Sequence, residues 1–568
     1  MNAQDNRPTK VMPFEQYRPY KPIHLPDRTW PDQTITKAPI FCSVCLRDGN
    51  QALMEPMSVE KKCRMFNLLV SMGFKEIEVG FPTASDTELE FVRKLIDEDM
   101  IPDDVTIQVL TQAREHLIRG TFEAVRGAKR VIMHVYNPTS ELQRRVVYCL
   151  DTDGIKKIAV DAAQLVKELA AAQPDTDWTF EYSPESFTGT ELDFARDVCN
   201  EVIDVWQPTP SHKAIINLPA TVEMSTPNVY ADMIEWMCRH ISRRDSIIIS
   251  LHTHNDRGTG VAATEQGLMA GADRVEGTLF GNGERTGNAD VITLFGNLMT
   301  QGVDPRHDFS DITEIVRIYE ECTGMKVDPR HPYAGKLAYT AFSGGHQDAI
   351  GKGLRALWLA SGQYFEVPYL ALNPTHIGRS LKEIVRVNSQ SGKGGTRHIM
   401  EEEHGVTMPS DFLLDLSAAI QKVAVATGTE VTADHVWNIF RDEYLDRKSP
   451  YELVEHSERP VTGGRQLTAT LQVHGKTEVV VGVGNGPVDA LAHAMHERFG
   501  IEMNVLGLEE HAIKGRSGSN VPAIAFVPIH FPGREPVWGV GMDVDTTTAN
   551  LMAVLSAINR SLASVPTI

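Results

Sequence analysis

The sequence is poor in cysteine and in positive charge, and it lacks any long apolar run. Seven cysteines in 568 residues are few and odd in number. That argues against a disulfide framework and leads us to expect a reducing, cytoplasmic location. Cys42 and Cys45 form a single C-x-x-C, but no second pair stands at zinc spacing, so both are expected to be buried thiols. Lys and Arg number 55 against 75 Asp and Glu, a formal charge of −20. So acidic a chain is a poor match for nucleic acid, and an anionic substrate must be met by a local cation or a metal. No stretch approaches the ~20 apolar residues that span a bilayer. The polar opening MNAQDNRPTK lacks the apolar core of a secretory leader, so neither a leader nor a membrane partner is expected. Hydrophobic residues at 42% and charged residues at 23% are enough to build folded cores.

From about residue 38 to 300 two patterns alternate. Eight short β-branched runs (APIFCSVC, KEIEVGF, VTIQVL, RVIMHVY, WTFEYS, KAIINL, SIIISL, DRVEGTLF) are separated by stretches with apolar residues three and four apart. Ser85–Glu88 and Thr188–Glu191 read as capping boxes, and Pro227 suits a first helical turn. This alternation predicts an α/β chain whose first part, about 36–330, is a closed (β/α)8 barrel, although an open doubly wound sheet shares the pattern. The barrel is favoured because polar groups follow nearly every run: Arg47, Asp48, Thr111, His134, Glu185, Thr221, His252, His254 and Glu284–Asn288. Closure would gather those ends into one mouth, where the active site of such a fold lies.

An N-terminal extension, 1–35, precedes the barrel. Residues 331–450 read as less regular linker subdomains, expected to be helical, with NSQSGKGGTRH as a flexible hinge. From 451 to 568 a small α/β domain is expected, because VHGKTEVVVGVGNGPVDALAHAM resembles HFPGREPVWGVGMDVDTTTANLMAVLSAI. Gly482 and Gly484 pair with Gly539 and Gly541 at an offset of 57. The repeat carries no obvious catalytic side chains, which favours a binding or regulatory role.

His252 and His254 stand at i and i+2 of one run and point the same way on a strand. Two imidazoles there fit one metal ion better than chance surface histidines. Asp48 and Asn288 can converge with them once strands one, seven and eight are neighbours. Nitrogen and oxygen ligands without thiolate suit Mg²⁺, Mn²⁺ or Zn²⁺ and do not choose among them. Such an ion could hold a 2-oxo acid and polarise its carbonyl. Arg47 could stabilise an enolate or alkoxide, or merely pair with barrel carboxylates. Glu185 could do acid/base work, or simply favour a helix N-terminus. The glycines of GNGERTGN, 281–288, would let backbone approach a ligand. Gly258–Ala263 reads as helix packing rather than a dinucleotide fingerprint.

Leu46–Gln51, His252–Asp256 and Gly281–Asn288 together resemble the DRE-TIM metallolyase superfamily and, within it, the longer 2-isopropylmalate synthase family. FSGGHQDAI, VPYL, VNSQSGKGG and the C-terminal repeat extend the likeness from about residue 35 onward. One departure is that Ser43, Val44 and Cys45 stand where some relatives have an acidic residue. The resemblance implies condensation of acetyl-CoA with 3-methyl-2-oxobutanoate and water to give 2-isopropylmalate and CoA, which commits carbon to leucine. Homocitrate and citramalate synthases are the alternatives. It implies Asp48, His252, His254 and Asn288 as ligands of a divalent cation, Mg²⁺ or Mn²⁺ before Zn²⁺. Arg47 and Glu185 are implied as catalytic groups, and His134 and Thr221 as oxo-acid contacts. His346 and Tyr369 are implied as catalytic residues supplied from the linker region across a homodimer interface. The terminal repeat is implied to bind leucine as an allosteric inhibitor.

Overall fold

The computed structural model describes residues 13–360, 364–380, 393–427, 431–514 and 520–563. It divides into two compact units, Met1–Ala338 with Pro374–Arg379, and Tyr339–Asn373 with Ser380–Ile568.

The first unit is the (β/α)8 barrel. Its strands are β1 Ile40–Ser43, β2 Glu76–Gly80, β3 Thr106–Gln112, β4 Arg130–Pro138, β5 Asp177–Glu185, β6 Ala214–Ala220, β7 Ile247–Thr253 and β8 Arg274–Gly277. They pair in sequence order, and β8 closes on β1 in parallel register, Ile40 opposite Arg274 and Ser43 opposite Gly277. The helices are α1 Asp48–Gln51, α2 Val59–Ser71, α3 Asp86–Asp97, α4 Glu115–Ala124, α5 Glu141–Gln143, α6 Thr152–Ala171, α7 Leu192–Trp206, α8 Pro227–His240, α9 Gly260–Met269, α10 Val291–Thr300 and α11 Ile312–Thr323. Every residue of β6 is buried, because helices cover its outer face while barrel side chains fill the inner one.

Several helix starts are those the sequence announces. Ser85 caps α3 by accepting from the Glu88 amide, and Pro227 occupies the first turn of α8. The second expected capping box does not form. Thr188 sits in a 3-10 turn and donates to the Val222 carbonyl at 2.8 Å, while Glu191 itself precedes α7 and pairs with Arg144 at 2.7 Å. The Arg144 guanidinium draws the carboxylate away from the cap.

The second unit is more regular than expected. It opens with α12 Gly344–Ala360, α13 Lys393–Glu402, α14 Ser410–Thr427 and α15 Ala433–Phe440. Of the expected hinge, residues 388–392 lie outside the described residues, and 393–398 are helical rather than loose. Strands β9 Tyr451–Val461, β10 Gly464–Val473 and β11 Lys476–Gly484 form one antiparallel sheet, followed by α16 Pro487–Phe499. Strands β12 Asn504–Val505, β13 Glu509–Ala512, β14 Ala523–His530 and β15 Val537–Asp543 form a second, followed by α17 Thr546–Ala563. The repeated glycines have a packing reason. A Cβ on Gly482 would lie 2.1 Å from the Ala490 carbonyl oxygen, and one on Gly539 would lie 2.0 Å from that of Ala553. In each copy the helix rests directly on the strand backbone.

Candidate active site

Strand β7 delivers His252 and leads straight into His254, and the turn after β1 delivers Arg47 and Asp48 at the start of α1. Asp48 Oδ2 lies 3.5 Å from His252 Nε2 and 3.8 Å from His254 Nε2. All three residues are buried, and their ligand atoms lie within 4.8 Å of one another. Asn288 reaches the same place because its backbone is zipped to this segment. It bridges His254, Asn255 N donates to Gly287 O, and Ala289 N donates to Thr253 O.

The donor set fits a divalent cation. Asp48 Oδ2 and Asn288 Oδ1 are buried without a hydrogen-bond partner, a costly state unless something electropositive completes it. Two imidazoles, a carboxylate and a carboxamide without thiolate match Mg²⁺, Mn²⁺ or Zn²⁺. Cys42 and Cys45 take no part. Both are buried free thiols, and the Cys45 sulfur accepts from the Leu279 amide.

Charge is balanced tightly. Burial pushes Asp48 up, but the Arg47 guanidinium and both imidazoles outweigh it and hold the carboxyl well below its usual range. Burial alone would lower His252, yet Asp48 and Glu276 raise it to about 9. His254 goes the other way, to about 4, through burial and then its neighbour His252. Arg47 donates from Nε to Glu78 Oε2 at 2.5 Å and from NH1 to Asp48 Oδ1 at 2.6 Å.

A cavity of about 210 Å³ opens over this cluster, and Arg47, Asp48, His134, Glu185, Thr221, His252 and His254 all line it. Glu185 ends β5, and burial raises its carboxyl above the ordinary range although Ser186 Oγ donates to it at 3.1 Å. Thr221 Oγ accepts from the Ser186 amide at 2.9 Å, so its own proton is left to donate into the cavity. His134 lies at the cavity floor, held by Glu78 at 3.1 Å and Ser183 at 2.7 Å. Thr111 does not line the cavity. Leu110 does, because successive residues of β3 face opposite ways. The glycines of 281–288 serve the loop itself. A Cβ on Gly287, where φ is +99°, would fall 1.8 Å from the Gly281 carbonyl oxygen.

His346 and Tyr369 belong to the second unit, where their exposed rings stack with centroids 3.9 Å apart. Tyr369 has φ +66°, an uncommon conformation for a bulky residue.

Sequence reading missed the polar floor of the barrel. Glu78, Gln108, Glu181, Ser183, Asn217, Arg274 and Glu276 are buried there. Charged residues inside KEIEVG and DRVEGT were the available signal. His134, Glu181 and Glu276 have the spacing of a second cation site, but the Arg274 guanidinium already lies 3.0 Å from Glu276 and 3.6 Å from Glu181. Burial and then Glu276 push the Glu181 carboxyl well above its ordinary range.

Family models match in three consecutive segments: an HMGL-like model over residues 38–318, an alpha-isopropylmalate synthase post-catalytic domain-like model over 336–401, and a LeuA allosteric (dimerisation) domain model over 430–562. A protein of Rhodospirillum rubrum named 2-isopropylmalate synthase is 54% identical, over 97% of this chain and 99% of its own. The chain belongs to the 2-isopropylmalate synthase family. Proteins of the same name from Pseudomonas entomophila, at 53% identity, and Corynebacterium efficiens, at 54%, each match 97% of this chain and 98% of their own. No described helix is long and apolar enough to cross a membrane.

Proposed function

We propose that the chain condenses acetyl-CoA with 3-methyl-2-oxobutanoate and hydrolyses the thioester, releasing 2-isopropylmalate and CoA. The observation that carries this is the convergence of Asp48, His252 and His254 beside Arg47 in one cavity, within a chain whose family spans its length. In this reading 36–330 is catalytic, 331–450 links and 451–568 regulates.

Asp48, His252, His254 and Asn288 would hold a divalent cation, Mg²⁺ or Mn²⁺ before Zn²⁺. What such a cation supplies is Lewis-acid polarisation of the oxo-acid carbonyl. Arg47, locked by Glu78 and Asp48, faces the oxygen on which charge develops and stabilises it without reorganising. Thr221 and His134 orient the oxo acid. His346, with Glu185, removes the methyl proton of acetyl-CoA, and the enolate carbon then attacks the keto carbon. Tyr369 backs His346 through their stacked rings, and the pair is supplied by the second copy of a homodimer.

Leucine is the inhibitor this reading assigns to the second unit. A cavity of about 760 Å³ lies at the N-terminus of α16, with Val488, Ile501, Val505 and Leu508 for an isobutyl group. Asn550 is 92% buried there by its 8% exposure, and its side-chain oxygen has no hydrogen-bond partner. Helix N-terminal amides suit a carboxylate, and the Asn550 oxygen suits an ammonium.

CoA release, measured with 3-methyl-2-oxobutanoate, pyruvate and 2-oxoglutarate in turn, tests the assignment. Release with the branched oxo acid that leucine suppresses is expected. Preference for pyruvate or 2-oxoglutarate would instead make the chain a citramalate or homocitrate synthase.

A further inference from the structure

The two histidines of the cluster are not equivalent. His252 Nδ1 lies 2.8 Å from Glu276 Oε2, directly across the β7–β8 ladder where the two residues are register partners. His254 Nδ1 is buried without any partner. Glu276 is itself fully buried and saturated with donors. Gln108 Nε2 at 2.7 Å and Arg274 NH1 at 3.0 Å serve Oε1, and Asn217 Nδ2 at 3.2 Å shares Oε2 with His252. A carboxylate so surrounded can only accept. The proton shared with His252 therefore sits on Nδ1, and Nε2 is the ring nitrogen that faces Asp48, 3.5 Å from its Oδ2.

We propose that Glu276 is a positioning residue that presets His252 as an Nε2 ligand, while His254 is left to adjust when a cation arrives. This rests on the reading of Asp48, His252 and His254 as the cation site. Ligating histidines commonly need such an outer partner, whose loss weakens metal binding by about 10–100-fold. Glu276→Gln is the informative change. Oε1 and Oε2 both face donors, so an amide must turn its NH₂ toward one set. If it faces His252, it favours the Nε2–H tautomer that cannot ligate.

The test is Mn²⁺ titration of the full chain, without substrates. Glu276→Gln is expected to weaken Mn²⁺ binding about 10–100-fold, and to add little further loss in a His252→Gln background. Unchanged Mn²⁺ affinity in Glu276→Gln, with His252→Gln binding poorly, overturns the positioning role alone. Unchanged affinity in both His252→Gln and Asp48→Ala overturns the cation site beneath it. A measurement on the unaltered chain covers the case in which Glu276→Gln fails to fold. With ¹¹³Cd²⁺ bound and histidine ¹⁵N-labelled, scalar coupling should run through His252 Nε2, with the proton retained on Nδ1. Coupling through His252 Nδ1 would overturn the proposal.

Discussion

Glu78 holds Arg47 end-on: the guanidinium Nε meets Glu78 Oε2 at 2.5 Å, and the carboxylate is wholly buried between β1 and β3. Glu78 Oε1 also meets His134 at 3.1 Å and Gln108 at 3.0 Å. Gln108 in turn reaches Glu276, and Glu276 reaches His252. One hydrogen-bonded floor thus fixes both the Arg47 guanidinium and the His252 imidazole. Neither is free to swing when substrate arrives, which is the condition for electrostatic stabilisation without reorganisation.

Arg47→Lys keeps the charge but loses the planar fork that spans Glu78 and Asp48. Turnover should fall by about 10²–10³-fold, the cost of one misplaced transition-state donor. Mn²⁺ affinity should change far less, because Asp48 Oδ2 is not the oxygen that Arg47 engages. Steady-state kinetics beside a metal titration separates the two. Equal losses in both would show that Arg47 acts by holding Asp48.

Glu185 gives a prediction in pH. Burial raises its folded-state pKa above the unfolded value, so the folded protein binds this proton more tightly than the unfolded chain. The destabilising contribution is absent below the unfolded pKa and fully present above the raised one. Glu185→Gln should therefore stabilise the fold at pH 7 to 8, with the gain shrinking as pH falls through the raised pKa. The same change should cut turnover by about 10²–10⁴-fold if Glu185 handles a proton. Urea denaturation across pH, set beside kcat, checks both.

The barrel was legible because parallel strands buried on both faces read as near-continuous apolar runs, as IIISL does with Ser250 its one polar residue. The cation cluster was legible because His252 and His254 share a strand end and Asp48 follows a strand that closes on β8. Its supporting floor was not. Gln108, Glu181 and Asn217 sit inside strands where only barrel closure makes them neighbours. Glu88 shows a related limit. Its spacing from Ser85 announces a capping box, and the Ser85 half forms. Yet its carboxylate turns away to Lys62, to the Asn50 amide at 3.2 Å and to the Phe81 backbone amide at 3.3 Å. A local motif cannot report a buried lysine more than twenty residues upstream.

That lysine supplies a stability prediction. Lys62 is fully buried, ion-paired with Glu88 and 5.0 Å from the Phe91 ring centroid. Lys62→Met keeps the length but leaves the Glu88 carboxylate without its cation. The expected cost is about 3–5 kcal/mol in denaturant unfolding. Because Glu88 also holds Asn50, which follows Arg47 and Asp48 by a few residues, activity should fall more than the unfolded fraction accounts for. A variant with the unaltered chain's midpoint would mean the pair is solvated in solution.

The cavity at the N-terminus of α16 owes its polar character to a broken symmetry. The helices of the two copies start at Pro487 and Thr546, an offset of 59 that maps Asn550 of α17 onto Leu491 of α16. Leu491 is wholly buried and apolar, so the first copy has no polar side-chain atom to satisfy there. The Asn550 oxygen, in contrast, stays buried and unsatisfied beside the cavity. An unmet buried oxygen costs about 1–3 kcal/mol, a cost that an ammonium donor would remove. Asn550→Leu deletes the unmet group, so the leucine-free protein should be no less stable and should turn over normally. Leucine inhibition should weaken by about 10–100-fold, since a hydrogen bond to a charged group is worth about 1.5–3 kcal/mol and each 1.4 kcal/mol is tenfold. Inhibition curves and thermal melts with and without leucine measure this. A variant inhibited as tightly as the unaltered chain would place leucine elsewhere in the second unit.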